Sequence, residues 1–265
     1  MLRALAALLA LSIAAPAVAA PLAAHRAVYE IDLADASERS GIEGMSGRMV
    51  YDFAGSDCDG YTTSFRFVTR ISTGADERIT DQQTTTFEDV ANGMFQFATR
   101  TFVDQRPDRD VKGIAEREGD ETSVEITSPE ERALDLPETA FPTQHMMELL
   151  AAAQEGDTLF ERDLYDGSDE ADRVLATTAV IGPEQAADEV PEGLPEAEFE
   201  GRAFWPVTIA YYSKDDAAGE ALPLYRIEFD LYDNGVTHEI LMDYGDFTLT
   251  GTLSEIEMRE ADACE

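Results

Sequence analysis

The stretch "LYRIEFDLYDNGVTHEILMDYGDFTLTGTLSEIEM", Leu224–Met258, decides the fold. Apolar residues fall on alternate positions: Tyr225, Ile227, Phe229 and Leu231 before Asp233-Asn234-Gly235, then Val236, His238, Ile240 and Met242 after it. A period of two marks a half-buried strand, and Asn-Gly between two such runs predicts a tight hairpin because both residues tolerate positive φ. Phe247, Leu249, Gly251 and Leu253 extend the pattern into a third strand. After Leu253 the apolar phase slips to Ile256 and Met258, as a bulge requires. Consecutive strands with short turns read as an antiparallel meander, since parallel pairing needs long crossovers.

The same alternation recurs upstream. It places Ala27, Tyr29, Ile31 and Leu33 on one face, as it does Met45, Gly47, Met49, Tyr51 and Phe53. Tyr61, Thr63, Phe65, Phe67, Thr69 and Ile71 form a third row, and Phe95, Phe97, Thr99, Thr101 and Val103 a fourth. "RITDQQTTTFED" is Thr-rich and polar, a strand of low burial. Shorter strands are expected in "VKGIAER", "TSVEI", "TLFERDLYDG" and "RVLATTAVIG", and a longer one in "FWPVTIAYYS".

One helix interrupts them, "FPTQHMMELLAAAQEGD", with Pro142 ahead of it, Thr143 as N-cap and Gly156 as stop. The expected class is all-β with one internal helix. About a dozen strands do not suit one flat open sheet, so the meander should coil into an open barrel or β-spiral, with the helix plugging or covering it. The acidic, proline-bearing segment from Pro183 to Gly201 has no apolar period and reads as a surface loop.

The N-terminus has one cation, Arg3, a short apolar run from Ala4 to Ala15, and Ala17-Val18-Ala19, which fits the A-x-A cleavage rule. Residues 1–19 thus read as a cleavable signal peptide, leaving a single exported domain from 20 to 265 that spans no membrane. Against 19 Lys plus Arg stand 55 Asp plus Glu, a net charge of −36, which should repel nucleic acid and anionic headgroups. The only cysteines are Cys58 and Cys264. No C-x-x-C exists for redox catalysis or zinc, and an oxidising compartment favours pairing, with free thiols or an intermolecular bridge as alternatives.

Catalytic patterns are scarce. His25, His145 and His238 are the only imidazoles, and His145 at the helix start is the most interesting. "GMSG" around Ser46 fails the nucleophile-elbow spacing, which disfavours a hydrolase built on His145. "DLYDGSDEAD" lacks the glycine position and distal glutamate of a calcium loop, so turn chemistry explains it better. No metal or cofactor is expected. Phe65, Phe67, Phe95, Phe97, Trp205 and Phe229 fit a core, or the lining of an acyl-chain cavity if the coil is wide enough.

In their order along the chain, "HRAVYEIDL", "GRMVYDF" running into "DCDGY", "FPTQH", "LYDGSDEAD" with "TTAVIG", and "LYDNGVTHEILMDYGDFTLTGTLSEIEM" resemble the EipB family, exported cell-envelope integrity proteins of alphaproteobacteria. The resemblance covers nearly the whole mature chain. It implies a periplasmic protein whose long antiparallel sheet spirals into an open barrel around a helix, with an intramolecular disulfide joining Cys58 and Cys264. It implies envelope maintenance without enzymatic activity, and admits a periplasmic helical-repeat protein as partner. The extreme acidity and the Pro183–Gly201 loop depart from that pattern. The function so expected is a non-catalytic periplasmic protein that maintains the envelope by binding a partner; the alternative is a carrier or chaperone for lipid or lipoprotein acyl chains.

Overall fold

A computed structural model describes residues 22–74, 76–186, 189–214 and 222–260; residues 1–19, read above as a signal peptide, and Cys264 lie outside them. The first half is an uninterrupted meander of β1 (His25–Ala36), β2 (Ile42–Ser56), β3 (Gly60–Thr73), β4 (Glu77–Asp89), β5 (Met94–Val103), β6 (Arg106–Glu118), β7 (Glu121–Ser128) and β8 (Arg132–Pro137). Helix α1 (Pro142–Glu155) then leads to β9 (Leu159–Leu164), β10 (Leu175–Ile181), the two-residue β11 (Gln185–Ala186) and the short helix α2 (Glu196–Phe199). β12 (Ala203–Ser213), β13 (Tyr225–Tyr232), β14 (Thr237–Asp243) and β15 (Phe247–Met258) complete the chain. All strands belong to one sheet, ordered β8-β7-β6-β5-β4-β3-β2-β1-β15-β14-β13-β12-β10-β9, with β11 beside β12. Each ladder along this order is antiparallel, and the last strand returns to pair with the first.

Local chemistry accounts for these elements. At the Asp233-Asn234-Gly235 turn, Tyr232 N–H donates to Val236 O and Gly235 N–H to Tyr232 O, both at 2.9 Å, with Gly235 at φ +83°. The phase slip after Leu253 is a bulge: Val28 faces Glu255 and Tyr29 faces Leu253, so Ser254 is the extra residue. The two ends of the order are β8 and β9, and the link from β8 to α1 meets the end of β9 across a seam. There Ala140 bridges Leu164 in parallel, Ala140 N–H donating to Asp163 O and Tyr165 N–H to Ala140 O at 2.9 Å each. The sheet thus coils back on itself without a continuous closing ladder, the open barrel or spiral expected from its strand number.

Two apolar clusters fill the coil. The larger joins Leu149, Leu150, Ala152 and Ala153 of α1 to Tyr29, Ile31, Met49 and Phe53 of the early strands and to Trp205, Val207, Phe229 and Leu231 of the late ones. Burial of a leucine such as Leu149 stabilises by about 1.5–3 kcal/mol, and α1 therefore plugs the coil. The smaller cluster covers Phe95, Phe97, Val111, Ala115, Val124 and Ile126 of β5–β7 with Phe141, Tyr165 and Ala171, residues that flank α1 and β9.

Several details differ from the sequence reading, and α2 is a second, four-residue helix in addition to the one expected. The helix begins two residues earlier than Thr143 as N-cap suggests: Phe141 occupies the N-cap in extended conformation, Pro142 opens the helix, and Thr143 is buried in its first turn. The acidic Pro183–Gly201 segment is partly anchored. Leu194 and Phe199 are buried, and Phe199 meets Tyr232 edge to face at 5.0 Å.

Candidate functional site

The start of α1 shows how the plug is held. Phe141 has no side-chain oxygen to cap the helix, yet the first-turn N–H groups need acceptors. Glu88 at the end of β4 supplies them: its Oε2 accepts from Thr143 N–H at 2.7 Å and its Oε1 from Gln144 N–H at 2.9 Å. A carboxylate there also faces the positive end of the helix dipole. Glu88 is only 1% exposed; burial raises its pKa, while the two N–H donors and Arg117 pull the other way. Gln144 accepts from Arg117 of β6 and donates to Glu148 at 2.6 Å. Glu148 pairs at 2.9 Å with Arg162 of β9, which also binds Glu138 through bonds of 3.0 and 2.7 Å. One polar network therefore ties the helix to both sides of the seam.

His145 belongs to the same region. Its Nε2 lies 2.8 Å from Thr177 Oγ1 on β10, and that hydroxyl donates to Arg162 O at 2.7 Å. With the hydroxyl proton committed to the carbonyl, Nε2–H must be the donor to Thr177. Burial, and then the Arg162 charge, push the imidazole pKa down to about 4, so the ring is neutral at neutral pH. The arrangement makes the pair a buried tie between α1 and β10.

The six aromatics singled out in the sequence do not converge on one site. Phe95 stacks on Phe141 at 5.2 Å, and Phe97 meets Tyr165 edge to face at 5.9 Å. Phe97 is clasped by Gly113 and Gly167, where a Cβ would fall 2.5 and 2.6 Å from its ring. Trp205 and Phe229 are buried in the larger cluster, and Phe65 and Phe67 are half-buried against it. Cys58 is exposed in the turn between β2 and β3. In "DLYDGSDEAD", Asp166 Oδ1 accepts from Ser168 N–H at 2.9 Å, the turn chemistry expected. Among the described residues, no group of three or more His, Cys, Asp or Glu is placed to hold a metal ion, and no helix is long and apolar enough to cross a membrane.

The outer face of β1–β5 carries a feature the sequence reading missed. Two adjoining concavities of about 550 and 370 Å³ share Arg66, Val68 and Ile79. Strand register sets Glu30, Arg48, Val68, Asp81 and Phe102 in one row across the five strands. Val50 and Arg66 lie in the row on one side, Arg70 and Ile79 in the row on the other. Arg66 forks onto Asp81 at 3.0 and 2.8 Å, Arg48 pairs with Glu30, and Arg70 lies 3.4 Å from Glu77. The available signal was apolar Val50, Val68 and Ile79 at outward positions, where a half-solvated sheet ordinarily shows polar residues.

Comparison with known proteins fits this architecture. A family model described as EipB-like matches residues 16–260. The chain belongs to the EipB family. Among its EipB relatives is the cell envelope integrity protein EipB of Brucella abortus (strain 2308), 46% identical over 246 residues that span 92% of this chain and 87% of the relative. A crystal structure of a beta-barrel-like protein of a domain of unknown function from Brucella abortus superposes with a TM-score of 0.85 at 46% identity, covering 91% of this chain and 100% of that one. The coiled sheet around α1 is thus the fold this EipB-family chain shares with a solved relative.

Proposed function

We propose that this chain is a non-catalytic periplasmic protein that maintains cell-envelope integrity by binding an envelope or periplasmic protein, and that a Cys58–Cys264 disulfide stabilises it. The observation that carries the reading is the division of the molecule: its own helix fills the coil, while an apolar, arginine-rimmed groove stays open outside. A plugged interior leaves the outer surface to do the work. The name of the Brucella relative supports the envelope role, and the leader-like residues 1–19 support export.

The bridge is supported by where β15 ends. Met258 and Phe53 flank His25 from opposite sides, and Arg259 binds Asp52 at 2.7 and 3.1 Å. Five further residues reach Cys264, a stretch of up to about 17 Å, and Cys58 lies in the turn just beyond β2. Cys58→Ser and Cys264→Ser should lower the melting temperature equally, with the double variant no worse; additive losses contradict pairing.

The functional test is complementation of a deletion strain challenged with detergent and envelope-directed antibiotics. Wild type and His145→Gln should both restore resistance. A folded His145→Gln protein that fails to complement would point to chemistry at that ring. The acyl-carrier alternative draws on half-buried Phe65 and Phe67, 6.2 Å apart on the inner face. A stoichiometric acyl species in native mass spectra of the periplasm-purified protein would favour it over a protein-binding role.

A further inference from the structure

We propose that residues 166–173 form a strap that lifts as a unit from β5–β8 while the coil beneath stays folded, uncovering Phe97 and the smaller core. The strap belongs to the connection between β9 and β10, residues 165–174, whose ends are held together because Leu164 pairs with Leu175. A compact loop with closed ends is an Ω-loop, and this one can lift without parting the hairpin that carries it. Its hinges are fixed as well: Tyr165 N–H donates to Ala140 O at 2.9 Å, and Lys214 N–H to Val174 O at 3.3 Å. Among the described residues, no backbone–backbone hydrogen bond joins 166–173 to the strands below; Ala171 N–H turns back to Ser168 O at 2.8 Å.

Two forces oppose closure. Asp169 and Ala171 are held at φ +52° and +55°, a left-handed conformation in which Cβ crowds the following carbonyl and which a lifted strap is free to leave. The strap also sets Asp166, Asp169, Glu170 and Asp172 close together in a chain of net charge −36, so its carboxylates repel one another and the surface around them. Two sets of contacts hold it down. Arg109 of β6 lies 3.2 Å from Asp169 and 3.9 Å from Glu170, Arg132 of β8 lies 3.6 Å from Asp172 and donates to Glu170 O at 2.7 Å, and Arg173 pairs with Asp169. Beneath these ion pairs Ala171 is buried in the smaller cluster, Gly167 lies on the Phe97 ring, and Tyr165 O–H donates to Ala171 O at 2.9 Å. The two strand arginines are 38 and 36% exposed, where ion pairs are individually weak. They close the strap without locking it, so its release lies below global unfolding. The apolar surface around Phe97 is then a site that exists only in the lifted state.

The test is native-state hydrogen exchange of the full oxidised chain, followed amide by amide by NMR in increasing low urea. The Ala171 amide should exchange at least tenfold faster than the amides of β2, at least tenfold slower than in a free peptide of the same sequence, and with little dependence on urea, because lifting exposes little surface. Arg109→Glu with Arg132→Glu should speed Ala171 exchange at least tenfold and leave the β2 amides unchanged. Arg109→Gln with Arg132→Gln should act in the same direction more weakly, and serves where the reversed variant does not fold. Gly167→Ala, whose new Cβ would fall 2.6 Å from the Phe97 ring, should hold the strap off and speed Ala171 exchange as well. Exchange of Ala171 with the rate and urea dependence of β2 would mean that the strap leaves only with the whole coil, and exchange at the free-peptide rate that it never closes. Indifference to the arginine variants would remove the latch, and indifference to Gly167→Ala would remove the seat on Phe97. Each of these results overturns the proposal.

Discussion

Acidification should loosen this fold through His145 by an amount that can be worked out beforehand. The ring is 4% exposed, and burial, then the Arg162 charge, hold its pKa at about 4 instead of 6.5. The unfolded chain accepts a proton that the native ring resists. The stability tied to this residue is therefore fully present above pH 6.5 and is lost as pH falls toward 4. The loss is about 2.5 kcal/mol at pH 4.5 and levels near about 3 kcal/mol below that. In a domain of this size it lowers the thermal midpoint by about 5–10 °C between pH 7.5 and 4.5. Carboxylates and His25, whose pKa burial also lowers, titrate in the same range, so the informative quantity is a difference. Thermal midpoints followed by circular dichroism, for wild type and His145→Gln at each pH, isolate it. The glutamine amide offers Thr177 a donor and cannot charge. It should start several degrees below wild type at pH 7.5 and close the gap by pH 4.5. Parallel pH profiles for the two proteins would refute the argument and mean that the ring takes up its proton at an ordinary pH.

Other perturbations test the packing. Gly167→Ala, at φ +67° with its new Cβ 2.6 Å from the Phe97 ring, should cost about 2–4 kcal/mol in denaturant unfolding. Gly156→Ala, at φ +85° with nothing within 4 Å, should cost only about 1 kcal/mol; equal losses would argue against the clasp on Phe97. Glu88→Ala strands two buried helix N–H groups and should cost about 2–4 kcal/mol, with hydrogen exchange fastest at Thr143 and Gln144. Arg162→Met leaves Glu138 and Glu148 without their shared cation; it should cost about 1 kcal/mol and speed exchange of the Ala140 and Tyr165 amides across the seam.

What the sequence disclosed and what it hid divide along the range of the interactions. Strand alternation, the Asn234-Gly235 hairpin, the bulge at Ser254 and the Gly156 stop are written in residues a few positions apart, and all were legible. The cap of α1 was not, because its acceptor is Glu88, more than 50 residues upstream on β4; Thr143 looked right only in the absence of that partner. β8 escaped notice because "RALDLP" is short, edge-lying and charged. Phe199 was hidden in an acidic run, its ring contact supplied by Tyr232 of β13, more than 30 residues on. The six aromatics fitted either a core or a cavity lining because alternation reports a face and not what covers it. Tyr165 and Ala171 fold over β5–β7 and turn half of that face into a separate core. The outer groove depends on register across β1–β5, which no single strand encodes.

The pairing of the first strand with the last bears on how the molecule comes into being. His25 lies opposite Met258, more than 200 positions away, so one edge of β1 stays bare until almost the whole chain has left the ribosome or the translocation channel. The ladders from β1 to β8 can zip locally as each hairpin appears. The final closure has to wait, and contacts of such high order make folding slow. Until then, β1 is an open template for pairing with another chain. A chain cut short before β15 would keep that edge permanently, and would fail by self-association before it failed by loss of any contact elsewhere.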